Sequence, residues 1–331
     1  MKALVTGGGG FLGGVIVRML RERGDQVRSF SRGKHPALAG LGVEQFQGDL
    51  ADREAVFKSA EGCDTVFHVA AKAGIWGSYR DFHRANVTGT ENILEACRAH
   101  GIRSLVHTSS PSVVFDGNDV EGGDESLPYP SHYEAHYPKT KALAEQMVLA
   151  AASPALATVA LRPHLIWGPG DNHLVPRILA KGRAGKLRRI GTRICLVDTV
   201  YVDNAARAHL QAADHLSPDS GISGKAYFIS NGQPLPLWEM INRILAAADI
   251  PPVTGSIPPQ LAYAVGCICE GIWSLLRLAG EPPMTRFVAH ELASAHWFNI
   301  EAARRDFGYQ PEISIDEGLI RLRQWLLACK D

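Results

Sequence analysis

The stretch Lys2-Ala-Leu-Val-Thr-Gly-Gly-Gly-Gly-Phe-Leu-Gly-Gly14 constrains this chain more than any other. Residues 2–6 read as a short buried strand. Four glycines then turn the chain, and residues 15–23, with Val15, Ile16, Met19 and Leu20 at helical spacing, read as a helix. A strand, a glycine turn and a helix N-terminus together make an anion site. Glycine lets the backbone approach a pyrophosphate, and the unpaired N–H groups of the first helical turn point at it. Gly7, Gly10 and Gly13 carry the spacing, and Gly8, Gly10 and Gly13 also satisfy G-x-G-x-x-G. A mere tight turn is the bland alternative, but the strand before and the helix after favour a dinucleotide. A nucleotide-triphosphate loop is excluded because no Gly-Lys-Ser/Thr follows.

Strands and helices alternate through the first half. Residues 26–30, 43–46, 65–69, 104–108 and 157–162 read as strands, with helices at 92–100 and 140–152. This predicts an α/β chain with a Rossmann-type, doubly wound parallel sheet. Its 331 residues suffice for two unequal units. Residues 1–167 form the expected dinucleotide-binding domain. The proline-rich texture from 168 to 331 predicts a smaller substrate-binding domain that returns some elements to the main sheet. With 34 basic and 34 acidic residues there is no bulk electrostatic case for nucleic acid. Cysteines 63, 97, 195, 267, 269 and 329 have no C-x-x-C or His/Cys spacing, so no metal site is expected, and reduced thiols suit a cytoplasmic protein. Met1 runs straight into a strand, so no leader is expected either. The stripe Leu261, Val265, Ile268, Ile272, Leu275, Leu276 and Ala279 predicts an amphipathic helix interrupted by Glu270 and Arg277. Core packing explains it most simply; an acyl-channel lining or peripheral membrane contact are the alternatives.

Tyr137 and Lys141, at i and i+4, share one helix face. A phenol of pKa about 10 exchanges protons poorly at neutral pH, and a neighbouring ammonium favours its phenolate. The hydroxyl cluster Thr108-Ser109-Ser110 closes the preceding strand, at the sheet end where α/β ligands sit. An exposed Tyr/Lys pair is the plain alternative. At the end of the second strand, Ser31 stands where an NAD enzyme keeps a carboxylate, and Arg32 follows, with Lys34 and His35 nearby. A missing acid and an added cation favour NADP(H) over NAD(H). The basic residues Lys181, Arg183, Lys186, Arg188, Arg189 and Arg193 read first as a solvated face. A carboxylate clamp or a partner-docking face is the sharper alternative.

These residues resemble a known family. The glycine stretch, Gly48-Asp49-Leu50, His68-Val-Ala-Ala71, Asn86-Val-Thr-Gly-Thr90, Tyr137 with Lys141, and Leu161-Arg-Pro163 resemble the extended short-chain dehydrogenase/reductases. Thr108-Ser-Ser-Pro-Ser-Val-Val-Phe-Asp-Gly117, Ile166-Trp-Gly-Pro-Gly-Asp171 and Tyr201-Val-Asp-Asn-Ala205 are similar to its 3β-hydroxysteroid dehydrogenase/isomerase branch. Ala71-Lys-Ala-Gly-Ile-Trp-Gly-Ser-Tyr79 and Gly280-Glu-Pro-Pro-Met-Thr-Arg-Phe287 resemble bacterial members that reduce 2-alkyl-3-oxoalkanoic acids in long-chain olefin biosynthesis. The resemblance implies an NADP-dependent oxidoreductase of lipid metabolism whose substrate is a lipid-like β-keto or β-hydroxy acid. It implies Tyr137 as proton donor, Lys141 as its partner and ribose ligand, and Ser110 (with Ser109 the competing choice) as the carbonyl-orienting hydroxyl. Asn86 would support a proton-relay water, with a helix N-cap as the simpler reading. Gly7, Gly10, Phe11, Leu12, Gly13, Ser31, Arg32, Asp49, Leu50, Ala70, Ala71, Lys141 and Pro163 would hold the cofactor. Trp76, Tyr79 and His164 would face the substrate. A homodimer and a complex with other pathway enzymes are left open. The alternatives are an NAD-dependent 3β-hydroxysteroid or 4-carboxysterol dehydrogenase, and a catalytically silent dinucleotide sensor or scaffold.

Overall fold

The computed structural model describes residues 1–329. Seven strands build the main sheet: β1 (Lys2–Thr6), β2 (Gln26–Ser31), β3 (Glu44–Gln47), β4 (Thr65–His68), β5 (Ser104–Thr108), β6 (Ala157–Pro163) and β7 (Lys225–Ile229). They run parallel in the order β7-β6-β5-β4-β1-β2-β3. The architecture is the expected Rossmann-like one. Strands β4 and β6 are buried along their whole length, because helices cover both faces of a parallel sheet and leave no polar side to show. Strand order reverses between β1 and β4, which opens a crevice at the C-terminal strand ends. The Thr6 hydroxyl ties those two strands together there. It accepts from the Val69 and Ala70 N–H groups, both at 3.0 Å.

Six helices matter for the site: α1 (Phe11–Glu22), α2 (Gly89–His100), α3 (His136–Ala150), α4 (Leu174–Arg183), α5 (Pro259–Leu276) and α6 (Arg286–Glu291). Helices α1 and α3 each start four residues before the expected point, so Tyr137 lies in the first turn of α3. A buried ion pair seats α3 on β6. Glu145 takes Arg162 Nε at 2.9 Å and Nη2 at 2.6 Å, and also accepts from the Tyr129 hydroxyl. Past residue 168 the chain contributes β7 to the main sheet. It also supplies Leu196–Val197, Leu235–Pro236 and His296–Phe298, which join Val120–Gly123 in a small second sheet.

Helix α5 overturns the core-packing expectation. Leu261, Val265, Ile268, Ile272, Leu275 and Leu276 face solvent, Leu275 with 83% of its surface exposed, while Ala262 and Gly266 are buried. The cause is local. A Cβ on Gly266 would stand 2.8 Å from the Arg286 nitrogen, so the small side of the helix meets α6. Glu270 then locks that side by accepting from the Arg286 N–H and Nε, both at 2.7 Å. The helix ends before Ala279, with Arg277 left-handed at φ 50°. Among the described residues no helix is long and apolar enough to cross a membrane.

Candidate active site

The glycine turn is a cradle closed by backbone. Gly7 has φ +70°, and its carbonyl accepts from the Gly10 N–H at 2.8 Å. A Cβ on Gly13 would lie 2.2 Å from that same carbonyl oxygen, so only glycine fits where α1 crosses the turn. Ala70 stands against Gly7, its Cα 3.1 Å from where a Cβ would project. Beyond β2, the Ser31 hydroxyl turns to the Gly33 carbonyl and Arg32 stays exposed. The His35 ring lies over Gly9, where a Cβ would be 2.0 Å away. Asp49 accepts from the Ala51 N–H and pairs with Arg84 at 3.2 Å, while the Leu50 side chain presses on Gly89 and its carbonyl accepts from Asn92. Phe11 and Leu12 open α1, Ala71 follows β4, and Pro163 closes β6. The glycine turn, the end of β2 and the start of the segment after β4 thus meet at the C-terminal ends of neighbouring strands. A cradle that any Cβ would fill, with an exposed cation beyond it, fits a dinucleotide phosphate.

Lys141 is buried one turn after Tyr137. Its Nζ donates to the Thr108 carbonyl at 2.6 Å and to His107 Nε2 at 3.2 Å. Burial pushes its pKa down to about 8, against the pull of Glu145. Tyr137 departs from expectation. Burial raises its pKa, Glu291 raises it further, and the Ser110 hydroxyl pulls it down. Lys141, held on Thr108, is not the group that acts on it in this arrangement. Ser110, which contacts Ser112 Oγ at 2.9 Å, shares a pocket with Tyr137. The Ser109 hydroxyl is instead buried without a partner. Asn86 is no N-cap. It sits inside the turn Arg84–Thr88, accepts from Lys72 N–H at 2.7 Å and donates to the Lys72 carbonyl and Thr140 hydroxyl.

The pocket beside Tyr137 measures about 270 Å³. Ala73, Gly74 and Ile75 form one wall, whereas Trp76 and Tyr79 do not line it. Tyr79 instead begins the helical turn Tyr79–His83 and rests on His83 and His136 at the outer surface. His164 does line the pocket, within an array that sequence reading missed. His296 Nε2 faces the Glu291 carbonyl, which can only accept, so that nitrogen donates at 3.0 Å and Nδ1 must accept. His164 Nε2 then donates to it at 3.1 Å, and His164 Nδ1 donates to Asp198 at 2.5 Å. His164 is thus fixed between His296 and the Asp198 carboxylate, and burial lowers the His296 pKa to about 4. Glu291 lines the pocket half-buried, and no donor among the described residues reaches its carboxylate. Burial lifts its pKa to about 7.

The basic residues from Lys181 to Arg193 are no clamp on this pocket. Lys181 bonds the Pro283 carbonyl, Arg188 and Arg189 bond nearby carbonyls, and Arg193 pairs with Asp119. The pocket's guanidinium is Arg177, one turn earlier. A larger cavity of about 500 Å³, walled by Arg189, Trp238 and Arg243, contains none of the expected site residues.

The model of the 3-beta hydroxysteroid dehydrogenase/isomerase family matches residues 4–255. The 2-alkyl-3-oxoalkanoate reductase of Stenotrophomonas maltophilia is 55% identical over 325 residues, 98% of each chain. The protein of that name from Shewanella oneidensis is 50% identical over 97% of this chain and 85% of its own. Among solved structures, Thermus thermophilus UDP-glucose 4-epimerase in complex with NAD is 25% identical and superimposes with a TM-score of 0.73, over 99% of each chain.

Proposed function

The chain belongs to the 3-beta hydroxysteroid dehydrogenase/isomerase family, and from that premise we propose that it reduces a 2-alkyl-3-oxoalkanoic acid to the 2-alkyl-3-hydroxy acid in long-chain olefin biosynthesis. It is an oxidoreductase of the NAD(P)-dependent kind, and its substrate is a small lipid-like acid. The observation that carries the reading is the meeting of Tyr137 and Ser110 in one pocket beside the glycine cradle.

Gly7, Gly10 and Gly13 would hold the cofactor's pyrophosphate, and Lys141 its nicotinamide ribose. We favour NADP(H), because Ser31 offers no carboxylate and Arg32 supplies a charge for a 2′-phosphate. When bound, the reduced nicotinamide supplies hydride to the ketone carbon. The Ser110 hydroxyl donates to the ketone oxygen and fixes its direction. The Tyr137 hydroxyl gives its proton to that oxygen as charge develops there. Asn86 holds the loop at Lys72 against α3, and keeps the catalytic helix and the pocket's rim in register. Residues 1–167 act as the cofactor half and 168–331 as the substrate half, whose last two residues lie outside the described ones. A pocket of 270 Å³ is below the usual range of about 300–1,000 Å³ for ligand sites. It houses the reacting head. The solvent-facing stripe of α5 is left to the acyl chains, with peripheral membrane contact as the alternative. A homodimer and docking to other pathway enzymes extend the same reading, and solution mass tests the first.

The test is NADP+ reduction by the purified protein given a 2-alkyl-3-hydroxyalkanoic acid, with NAD+ and a 3β-hydroxysteroid in parallel. Turnover of the hydroxy acid with NADP+, lost in Tyr137→Phe while cofactor binding survives, is the expected result. Turnover of the steroid with NAD+ alone would overturn both substrate and cofactor. Unchanged biological function of Tyr137→Phe would point to a sensor.

A further inference from the structure

We propose that Arg177 recognises the substrate's carboxylate, and that Glu281 occupies this guanidinium until the substrate displaces it. The inference rests on the β-keto acid reading above. In such an acid one carbon separates the ketone carbon from the carboxylate, so both must enter the same pocket once Tyr137 and Ser110 hold the ketone oxygen. The charges in that pocket are unevenly placed. Glu291 puts a carboxyl group on one wall, and His164 on another is already bonded to the Asp198 carboxylate at 2.5 Å. Neither wall offers an incoming anion a free cation. Arg177, from α4, is the guanidinium on the remaining side.

That guanidinium has a carboxylate partner already. Arg177 Nη2 donates to Glu281 Oε2 at 2.5 Å, and Glu281 Oε1 accepts from the Ile75 N–H across a long 3.4 Å. The two side chains retain 48% and 32% of their exposure. A partly solvated ion pair of this sort contributes little to stability, so replacing one carboxylate by another costs little. The Arg162–Glu145 pair, at 3% and 0%, is the opposite case, since parting buried charges would leave each uncompensated. Arg177 also has the planar fork that takes a carboxylate through two parallel bonds.

Two sequence motifs without another assigned task meet here. Gly74 and Ile75 belong to the stretch 71–79 and line the pocket. Glu281 belongs to the stretch 280–287, and its Oε1 would lie 3.0 Å from a Cβ on Gly74, which has φ +130°. Glu281 therefore bridges Arg177 and the loop at Gly74–Ile75. A substrate carboxylate taken by Arg177 frees that loop at the same moment.

The test compares KM and kcat in the oxidative direction for a 2-alkyl-3-hydroxyalkanoic acid and its methyl ester. Arg177→Gln is expected to raise KM for the acid by about tenfold or more, with kcat within about twofold and the ester unaffected. Arg177→Lys should recover part of the loss. Glu281→Gln, which removes the competing carboxylate, should lower KM for the acid and leave the ester alone. Equal effects on acid and ester, an unchanged acid KM in Arg177→Gln, or a raised acid KM in Glu281→Gln would each overturn the proposal. Failure of the unmodified protein to oxidise the hydroxy acid would instead overturn the functional reading beneath it.

Discussion

Replacing Lys141 by Met should remove a pH-dependent strain from the fold along with the enzyme's turnover. The buried ammonium has its pKa lowered from 10.5 to about 8, so the native chain binds that proton less tightly than the unfolded chain does. Below pH 8 both states are protonated and the native state carries the whole penalty. Between pH 8 and 10.5 the native state releases the proton while the unfolded state keeps it, and stability rises. Above 10.5 neither holds it and the penalty is gone. At about 1.4 kcal/mol per pH unit the interval amounts to about 3 kcal/mol. The substitution also deprives the Thr108 carbonyl of a donor, at a cost of about 1–3 kcal/mol. That cost does not vary with pH, so it displaces the stability curve without changing its slope. Denaturant unfolding of both proteins from pH 7 to 10.5, with the two curves subtracted, isolates the Lys141 contribution. The unmodified protein should gain about 3 kcal/mol relative to Lys141→Met across that range. Parallel curves would refute the placement of a charged lysine in this buried site.

Gly13→Ala drives a methyl to 2.2 Å from the Gly7 carbonyl, where only backbone can yield. NADPH affinity should fall by about tenfold or more in a fluorescence titration, and the thermal transition should fall with it, because the displaced backbone is part of the fold. Arg32→Ala should weaken NADPH by about tenfold and leave NADH untouched, since only the former carries the 2′-phosphate; equal loss of both would remove Arg32 from the cofactor site. Glu291→Gln takes away an anion that raises the Tyr137 pKa. The alkaline-rising limb of the oxidative pH–rate profile should move to lower pH, and an unmoved limb would separate Glu291 from Tyr137.

What could be read in the sequence is what is local in it. The cofactor side of the crevice comes from short motifs at strand ends. Gly7 to Gly13, Ser31–Arg32 and Asp49–Leu50 each lie within a few residues of the strand that carries them, and strand periodicity fixes where they emerge. Errors began where a face had to be chosen. The α5 stripe has a helical period, but period alone does not say which side meets protein. Gly266 and Glu270 decide that through contacts with α6, sixteen to twenty residues later. Trp76 and Tyr79 are bulky and near the pocket in sequence, yet the small Ala73 and Gly74 line it. Glu291, His296 and Arg177 were illegible for the same reason. Each is a single residue on an element with no motif, brought to Tyr137 only by the fold. The one hint was His164 beside Arg162-Pro163, whose partners Asp198 and His296 are far along the chain.

The far wall also determines how the near wall works. Tyr137 meets the ketone oxygen as a protonated phenol, and a raised pKa keeps it in that form while making it a weaker acid. Burial and the Glu291 carboxylate both push Tyr137 in that direction, and Ser110 alone opposes them. Burial in turn lifts the Glu291 pKa to about 7, against the pull of His164. As pH rises through about 7 the carboxylate charges and the phenol holds its proton more firmly. In the ligand-free site Tyr137 is therefore a protonated but weak acid, and any charge that lowers its pKa would speed proton transfer in either direction. Lys141 completes the argument by where it points. Its ammonium is fixed on the Thr108 carbonyl, and in the proposed reading a ribose entering beside it would be its second partner.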